Sequence, residues 1–327
     1  MTKYLYYKLI QPFVTNYLQG IAENSVSAYP SIKPEAIGNL RFSFPNLLTQ
    51  QIIASVLSTI DDKIELNNQI NDNLEQMAKT LYDYWFVQFD FPNENGKPYK
   101  SSGGRMIWNE VLKREIPKGW EVNSLGSFIA RDKSGDWGKE QIEGNYITKV
   151  ECIRGADING IFRGGELKTS VRFILKKNES KILLPYDLVI EISGGSPTQS
   201  TGRLAYITNE VIDRFENPLI CSNFCKAVSL NELESFFYFI YSWNNAYNNS
   251  IFFGFEGKTS GIKNLLFESL VSTYKIVKPS KLILENFQNN VSLFESKRQI
   301  NLKQNQQLSS LRDWLLPMLM SGQVKVK

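Results

Sequence analysis

Residues 1–93 of this chain can be laid on residues 235–327 at a constant offset of 234 without a gap, and the character of position after position is kept. Tyr4 and Tyr7 meet Tyr238 and Tyr241 inside aromatic runs. Ile37, Leu40 and Phe42 meet Val271, Tyr274 and Ile276 in apolar runs that end at Pro45 and Pro279. Asn46 then meets Ser280, and both suit a helix N-cap, where a short side-chain oxygen accepts an orphan backbone N–H. Beyond the caps Leu48 meets Leu282, Ile60 meets Phe294, Asp61 meets Glu295, Lys63 meets Lys297, and Leu74 and Leu81 meet Leu308 and Leu315. A register kept over that length identifies a duplicated module.

Each copy reads as a short strand-rich end followed by a long helix. From Leu47 to Phe86 there is neither Pro nor Gly, which at 1.5 Å per residue allows a helix of roughly 60 Å. Ile53, Leu57, Ile60, Ile64, Asn67, Asn71, Leu74, Ala78 and Leu81 follow at alternating steps of four and three, the spacing of a heptad seam. The second copy places Phe287, Val291, Phe294, Arg298, Asn301, Asn305, Leu308, Arg312 and Leu315 at the same steps. Both seams carry two asparagines, Asn67 with Asn71 and Asn301 with Asn305. A buried Asn at such a position is costly unless paired, and its best-attested use is to set register and partner. The match predicts that the two helices pack on each other. The alternative is a solvent-facing stripe, with the seam shifted to Leu66 and Ile70. An antiparallel pair would place the attached domains at opposite ends.

Between the helices, Phe91 to Gly104 has the Pro, Gly, Ser and Asn content of a linker. From Glu115 onward the chain offers short β-prone runs at Tyr146 to Val150, Leu188 to Ile192, Leu204 to Thr208 and Ser272 to Val277. The reading is an α+β domain over 115–278.

Composition narrows the chemistry. The chain has 327 residues and no histidine, which removes Ser–His–Asp and Cys–His nucleophile systems, HExxH zinc sites and imidazole bases together. Three cysteines fit a reducing compartment. Cys221 and Cys225 with a distant Cys152 do not complete a tetrahedral metal shell, so no metal is expected and they read as small semi-buried residues. A net charge of +4 is compatible with phosphate contacts along one face but common among enzymes as well. The apolar runs are too short to span a bilayer, and the N-terminus lacks a secretory h-region, so a cytoplasmic protein without membrane contact is expected.

Motifs for catalysis are missing. There is no Asp/Asn-Pro-Pro-aromatic loop for amino-methylation, since Asn217-Pro-Leu-Ile does not match, and no Gly-rich strand–turn–helix for a nucleotide. Gly257-Lys258-Thr259 resembles the end of a P-loop, but the Gly required five positions earlier is Phe252. The loops Gly194–Arg203 and Gly257–Lys263 gather Arg, Lys, Gln, Ser and Thr between glycines. Such groups donate to phosphates, and Arg and Gln also bond base edges in pairs. Lys149, Ser196, Gln199, Arg203, Lys258, Thr259 and Ser260 are the candidate DNA contacts; an ordinary solvated hairpin is the alternative for any one of them.

The runs Pro45 to Asn67 and Asn73 to Phe86 resemble the central conserved helix of type I restriction–modification specificity subunits. Ile116-Pro-Lys-Gly-Trp-Glu121 resembles the start of their target-recognition domains, and Leu311 to Lys325 resembles their distal conserved region. The resemblance covers nearly the whole chain. It implies an α/β target-recognition domain plus two conserved helices in an antiparallel coiled coil that acts as a ruler between half-sites. It also implies double-stranded DNA, methyltransferase subunits and a restriction subunit as partners, with S-adenosylmethionine and ATP bound only by those partners and no catalytic residue in this chain.

On this reading residues 1–44 are the C-terminal remnant of a first recognition domain and 45–91 the central helix. A linker at 92–114 leads to the second recognition domain at 115–278, and 279–327 form the distal helix. The partial first domain is expected to leave unpaired strand edges and exposed apolar surface. It would belong to a cassette allele, to one piece of a split subunit completed by a complementary fragment, or to a form completed by self-association. A structural coiled-coil adaptor that no longer reads DNA is the rival function.

Overall fold

The computed structural model describes residues 2–25, 29–162, 169–194, 196, 198–259 and 262–325, without the side chains of Lys258 and Thr259. Its helices are α1 (Thr2–Leu9), α2 (Pro12–Glu23), α3 (Pro34–Gly38), α4 (Leu47–Tyr82), α5 (Ile158–Phe162), α6 (Asn209–Ile212), α7 (Phe236–Asn248), α8 (Phe267–Thr273) and α9 (Lys281–Ser321). Its strands are β1 (Met106–Asn109), β2 (Arg114–Pro117), β3 (Glu121–Ser124), β4 (Ile129–Ser134), β5 (Tyr146–Ile153), β6 (Ser170–Leu175) and β7 (Leu188–Glu191). They continue with β8 (Ser193–Gly194), β9 (Leu204–Tyr206), β10 (Leu219–Cys221), β11 (Cys225–Leu230), β12 (Glu256–Thr259), β13 (Ile262–Leu265) and β14 (Lys275–Lys278). The chain divides into two compact units, Met1–Gln69 with Gln304–Lys327, and Ile70–Lys303. The long helices α4 and α9 contribute residues to both. Among the described residues no helix is long and apolar enough to cross a membrane.

In the first unit α4 begins where the sequence predicts, with Asn46 Oδ1 accepting from Thr49 N at 2.8 Å. Tyr4 and Tyr7, three apart on α1, turn one face onto Ile53, Ala54 and Leu57 of α4 and Leu316, Leu319 and Met320 of α9. Asp61 accepts from the Tyr7 hydroxyl and from Arg312 NH1 at 3.0 Å. Asn67 Nδ2 donates to Asn305 Oδ1 and to Gln304 Oε1, each at 2.8 Å. The pairs 61 with 312 and 67 with 305 make the two segments antiparallel.

In the second unit Asn301 Nδ2 donates to Asn71 Oδ1 at 2.9 Å, and Arg298 pairs with Glu75 at 3.0 Å, again in antiparallel sense. The helix α4 closes in a widened π-type turn, Asp83–Val87, that buries Trp85 and Phe86 against Phe287 of α9. The centre of the strand-rich body is a four-stranded antiparallel sheet ordered β4-β11-β7-β9. All four residues of β7 are buried. Leu188 and Ile190 face the aromatic core that holds α7, whereas Val189 faces a second core with Ala205, Cys221, Cys225 and Ala227. Beside it β10, β5 and β6 form a mixed sheet in which β10 is parallel to β5. The hairpin β1-β2 and the long-range antiparallel pair β3-β14 add to the body.

Two expectations are corrected. The end of the first copy is helical rather than strand-rich, with α1, α2 and α3, and that of the second mixes helices α7 and α8 with strands β12, β13 and β14. Phe236, Phe237, Phe239, Ile240 and Trp243 have β propensity, but α7 is buried on nearly every side, and tertiary packing overrides so weak a preference. The linker-like segment after Phe91 is folded. Phe91 stacks on Tyr99 and Trp120 at 4.6 and 4.7 Å, and Asp90 Oδ1 accepts from Ser101 N at 2.7 Å. Gly96 and Gly103, at φ +72° and +86°, make its turns.

Candidate nucleic-acid interface

The site begins where β7 leaves the core. Glu191, the last residue of that buried strand, would be an unpaired buried charge without Arg203, which stands at the start of β9. Arg203 Nε and NH2 donate to its two oxygens at 2.9 and 2.6 Å, closing the base of the 192–202 loop. The carboxylate is tightly enclosed, since a Cβ built on Gly155 or Gly194 would lie 2.5 or 2.9 Å from Glu191 Oε1. The same pair holds the Arg203 guanidinium above its ordinary pKa, mainly through the hydrogen bonds to Glu191.

Within the loop, β8 adds to β13, with Gly194 opposite Lys263 and Ser193 opposite Asn264, and β13 pairs with β12. The two glycine-flanked polar loops singled out in the sequence therefore join in one three-stranded sheet. Glu256 of β12 locks them together, accepting from Thr201 N at 2.8 Å and Ser200 Oγ at 3.0 Å and pairing with Lys263 at 3.0 Å. Burial alone would raise the pKa of Glu256, but Thr201, Lys263 and Ser200 together hold it below the ordinary glutamate value. From α7, Trp243 Nε1 donates to Gly202 O at 2.7 Å and the Tyr247 hydroxyl to Ser200 O at 3.1 Å. A rigid base thus carries a polar tip. At the tip Ser196 N donates to Gln199 O at 3.1 Å and Gln199 N to Ser196 O at 3.2 Å, with Thr198 exposed.

Of the sequence candidates, Ser196, Gln199 and Arg203 lie on this loop, the first two at its tip and Arg203 bracing its base. Lys258 and Thr259 are on β12, opposite Lys263 and Ile262, with their side chains outside the described residues. Ser260 lies outside the described residues. Lys149 is exposed on β5 opposite Phe173, in a different sheet. Asn67 and Asn71 meet Asn305 and Asn301 in the helix pair. Sequence reasoning missed Glu191 and Glu256. Glu191 lies inside a β-prone run and Glu256 immediately precedes Gly257, and neither position sets a carboxylate apart from its neighbours in the sequence.

Comparison with known proteins agrees with this architecture. Residues 2–76 match the family model described as the type I restriction modification DNA specificity domain. The match falls on the first copy of the repeat. The chain is 27% identical over 338 residues to the type I restriction enzyme MjaIX specificity subunit of Methanocaldococcus jannaschii, covering 100% of this chain and 70% of that protein. It is 27% identical over 367 residues to the HindI specificity subunit of Haemophilus influenzae, covering 99% of this chain and 78% of that protein. Among solved structures, the S subunit of a type I restriction–modification system from M. genitalium superposes with a TM-score of 0.55 at 18% identity, over 97% of this chain and 72% of that one, a likeness of fold. A specificity-domain match on one copy of a duplicated module, and similarity along the whole chain to two specificity subunits, point the same way: the chain is similar to the specificity subunits of type I restriction–modification systems.

Proposed function

We propose that this chain reads DNA sequence for a type I restriction–modification complex, binding a half-site through the body of the second unit and scaffolding methyltransferase and restriction subunits. It has no catalytic role of its own on this reading, and S-adenosylmethionine and ATP act on the partner subunits. The observation that carries the proposal is the union of the two polar loops in one sheet with a braced base. A preorganised loop loses little entropy on meeting DNA, so its tip can discriminate base edges rather than merely follow the backbone. In this arrangement Ser196 and Gln199 reach the duplex, Lys258, Thr259 and Ser260 extend the contact from the neighbouring hairpin, and Lys149 meets a phosphate from the adjoining sheet. Arg203 acts from beneath, through Glu191.

The test is co-expression with a methyltransferase subunit, purification of the complex and methylation mapping of host DNA. A complex with a defined methylated motif, altered by Gln199→Ala together with Ser196→Ala, supports the reading. A complex without sequence-specific methylation favours a structural adaptor. No complex at all defeats both.

A further inference from the structure

Beneath the loop the second unit carries a chain of buried polar groups that packing does not require. Arg214, which follows α6, donates through NH1 to Ile161 O and to Gln299 Oε1, the latter at 2.8 Å. Gln299 Nε2 donates to Glu295 Oε1 at 2.7 Å, and Arg298 NH1 donates to Glu295 Oε2 at 2.8 Å. Arg298 continues the chain in two directions, through NH2 to Glu75 of α4 at 3.0 Å and through NH1 to the Tyr206 hydroxyl of β9 at 3.4 Å. Tyr206 in turn stacks on Phe162 of α5 at 4.2 Å between centroids. The strand-rich body is thereby joined by directional bonds to both long helices.

Stability does not explain such a network. Arg214, Glu295, Arg298 and Gln299 are 8, 4, 5 and 1% exposed, and burying two guanidinium groups and a carboxylate carries a desolvation cost that an apolar contact of the same shape avoids. What apolar contact lacks is a fixed angle. The repeat supplies an internal control, because the counterparts of Glu295, Arg298 and Gln299 in the first copy are Asp61, Ile64 and Glu65. Asp61 keeps an ion pair across the helices with Arg312, but Ile64 is apolar and Glu65 is exposed. Among the described residues the first copy's helix bonds its attached segment through Asp61 and the Tyr7 hydroxyl of α1, whereas the bonds made by Arg298 and Gln299 have no counterpart there. They also end at β9, whose neighbour Arg203 braces the loop, across a cleft of about 300 Å³ that Arg203, Tyr206 and Arg298 share.

We propose that Arg298 and Gln299 are positioning residues for DNA reading: with Arg214 and Tyr206 they set the angle at which the recognition body, and with it the 192–202 loop, stands on α4 and α9. The inference rests on the reading that this loop contacts DNA. Without the directional bonds the body keeps its fold and its apolar seat but samples neighbouring orientations, so bases at the edge of the half-site are read less strictly.

The experiment uses the full chain in its methyltransferase complex, comparing wild type with R298M and Q299L, which keep volume and lose direction, and with R298K, which keeps the charge. The readouts are melting temperature, the ratio of affinities for the mapped motif and a scrambled duplex, and the methylated motif itself. For R298M and Q299L the affinity ratio, compared well below each variant's melting transition, is expected to fall about tenfold or more, with a more degenerate motif; the melting temperature falls as well, because Glu295 or Arg214 loses a buried partner. R298K is expected to recover part of the ratio. An unchanged ratio and motif in folded Q299L and R298M overturns the proposal while leaving the DNA-reading function intact. If R298M does not fold, Q299L and R298K decide in the same way. A wild-type complex that methylates no defined motif removes the function and the positioning role together.

Discussion

Gly202 takes φ +102°, and a Cβ there would lie 2.5 Å from Cδ2 of the fully buried Phe252 ring. Gly202→Ala combines left-handed strain with overpacking at the residue whose carbonyl Trp243 holds, and is expected to lower stability by about 2–4 kcal/mol in chemical denaturation. The same substitution should weaken binding to the mapped motif more than to scrambled DNA. The cysteines give a pH prediction. Burial pushes Cys152 and Cys225 up to about 12 from the ordinary 9.0. A group whose folded pKa is raised contributes stability fully below its unfolded pKa and loses it as pH rises through the folded value. Unfolding free energy should therefore be flat in this respect below pH 9 and decline from pH 9 towards 12, shown by denaturation at stepped pH. A thiol reagent at pH 8 should find none of the three cysteines until the protein is unfolded. At this scale the glycine-flanked polar loops were legible from local chemistry. The braces Glu191 and Glu256 were not, because a buried carboxylate declares itself only when its partners, 12 residues away for Arg203 and 55 for Thr201, are in place.

At the scale of elements, the helix pair shows what periodicity can and cannot carry. The absence of Pro and Gly and the four-three spacing were enough to place α4, and the same spacing carried over by the repeat placed α9, which runs through Pro317. The pairing of asparagines followed from their occurrence at matched positions in both seams. The spacing left open which asparagine meets which. Antiparallel packing sets Asn67 with Asn305 and Asn71 with Asn301, whereas the repeat aligns Asn67 with Asn301. The short helices were not legible. The aromatic runs at 4–7 and 236–241 look β-prone, and only the surrounding core decides for a helix. A double-mutant cycle tests the seam. Asn71→Leu alone leaves Asn301 buried without its partner and should cost about 1–3 kcal/mol, as should Asn301→Leu. The double substitution should recover most of that loss, since a paired apolar contact replaces a paired polar one. Additive losses in the cycle would mean that the two amides do not act as a pair.

For the whole molecule, the repeat allows the two units to be compared position by position. In the second copy Phe239, Ile240 and Val271 are 0, 2 and 6% exposed beneath the strand-rich body; their first-copy counterparts Leu5, Tyr6 and Ile37 are 40, 55 and 45% exposed. Among the described residues, 41–44, the counterpart of β14, have no strand partner, whereas β14 pairs with β3. The same module is thus deeply packed in one unit and thinly packed in the other. Because a helix in water owes most of its stability to tertiary burial, one continuous helix should report this difference along its own length. Native-state hydrogen exchange of the full chain is expected to show the amides of α4 from 50 to 69 opening at lower free energy than those from 70 to 82. The former rest on the small core of Tyr4, Tyr7, Ile53 and Leu57, the latter on the aromatic core around Tyr82 and Phe287. Limited proteolysis should likewise cut within 2–44 before it reaches the strand-rich body. Equal protection along α4, with a resistant first 44 residues, would show that something other than the packing described here holds the first unit together. A graded pattern that becomes uniform when Leu5 and Tyr6 are covered by a partner would trace the weakness to that exposed face itself.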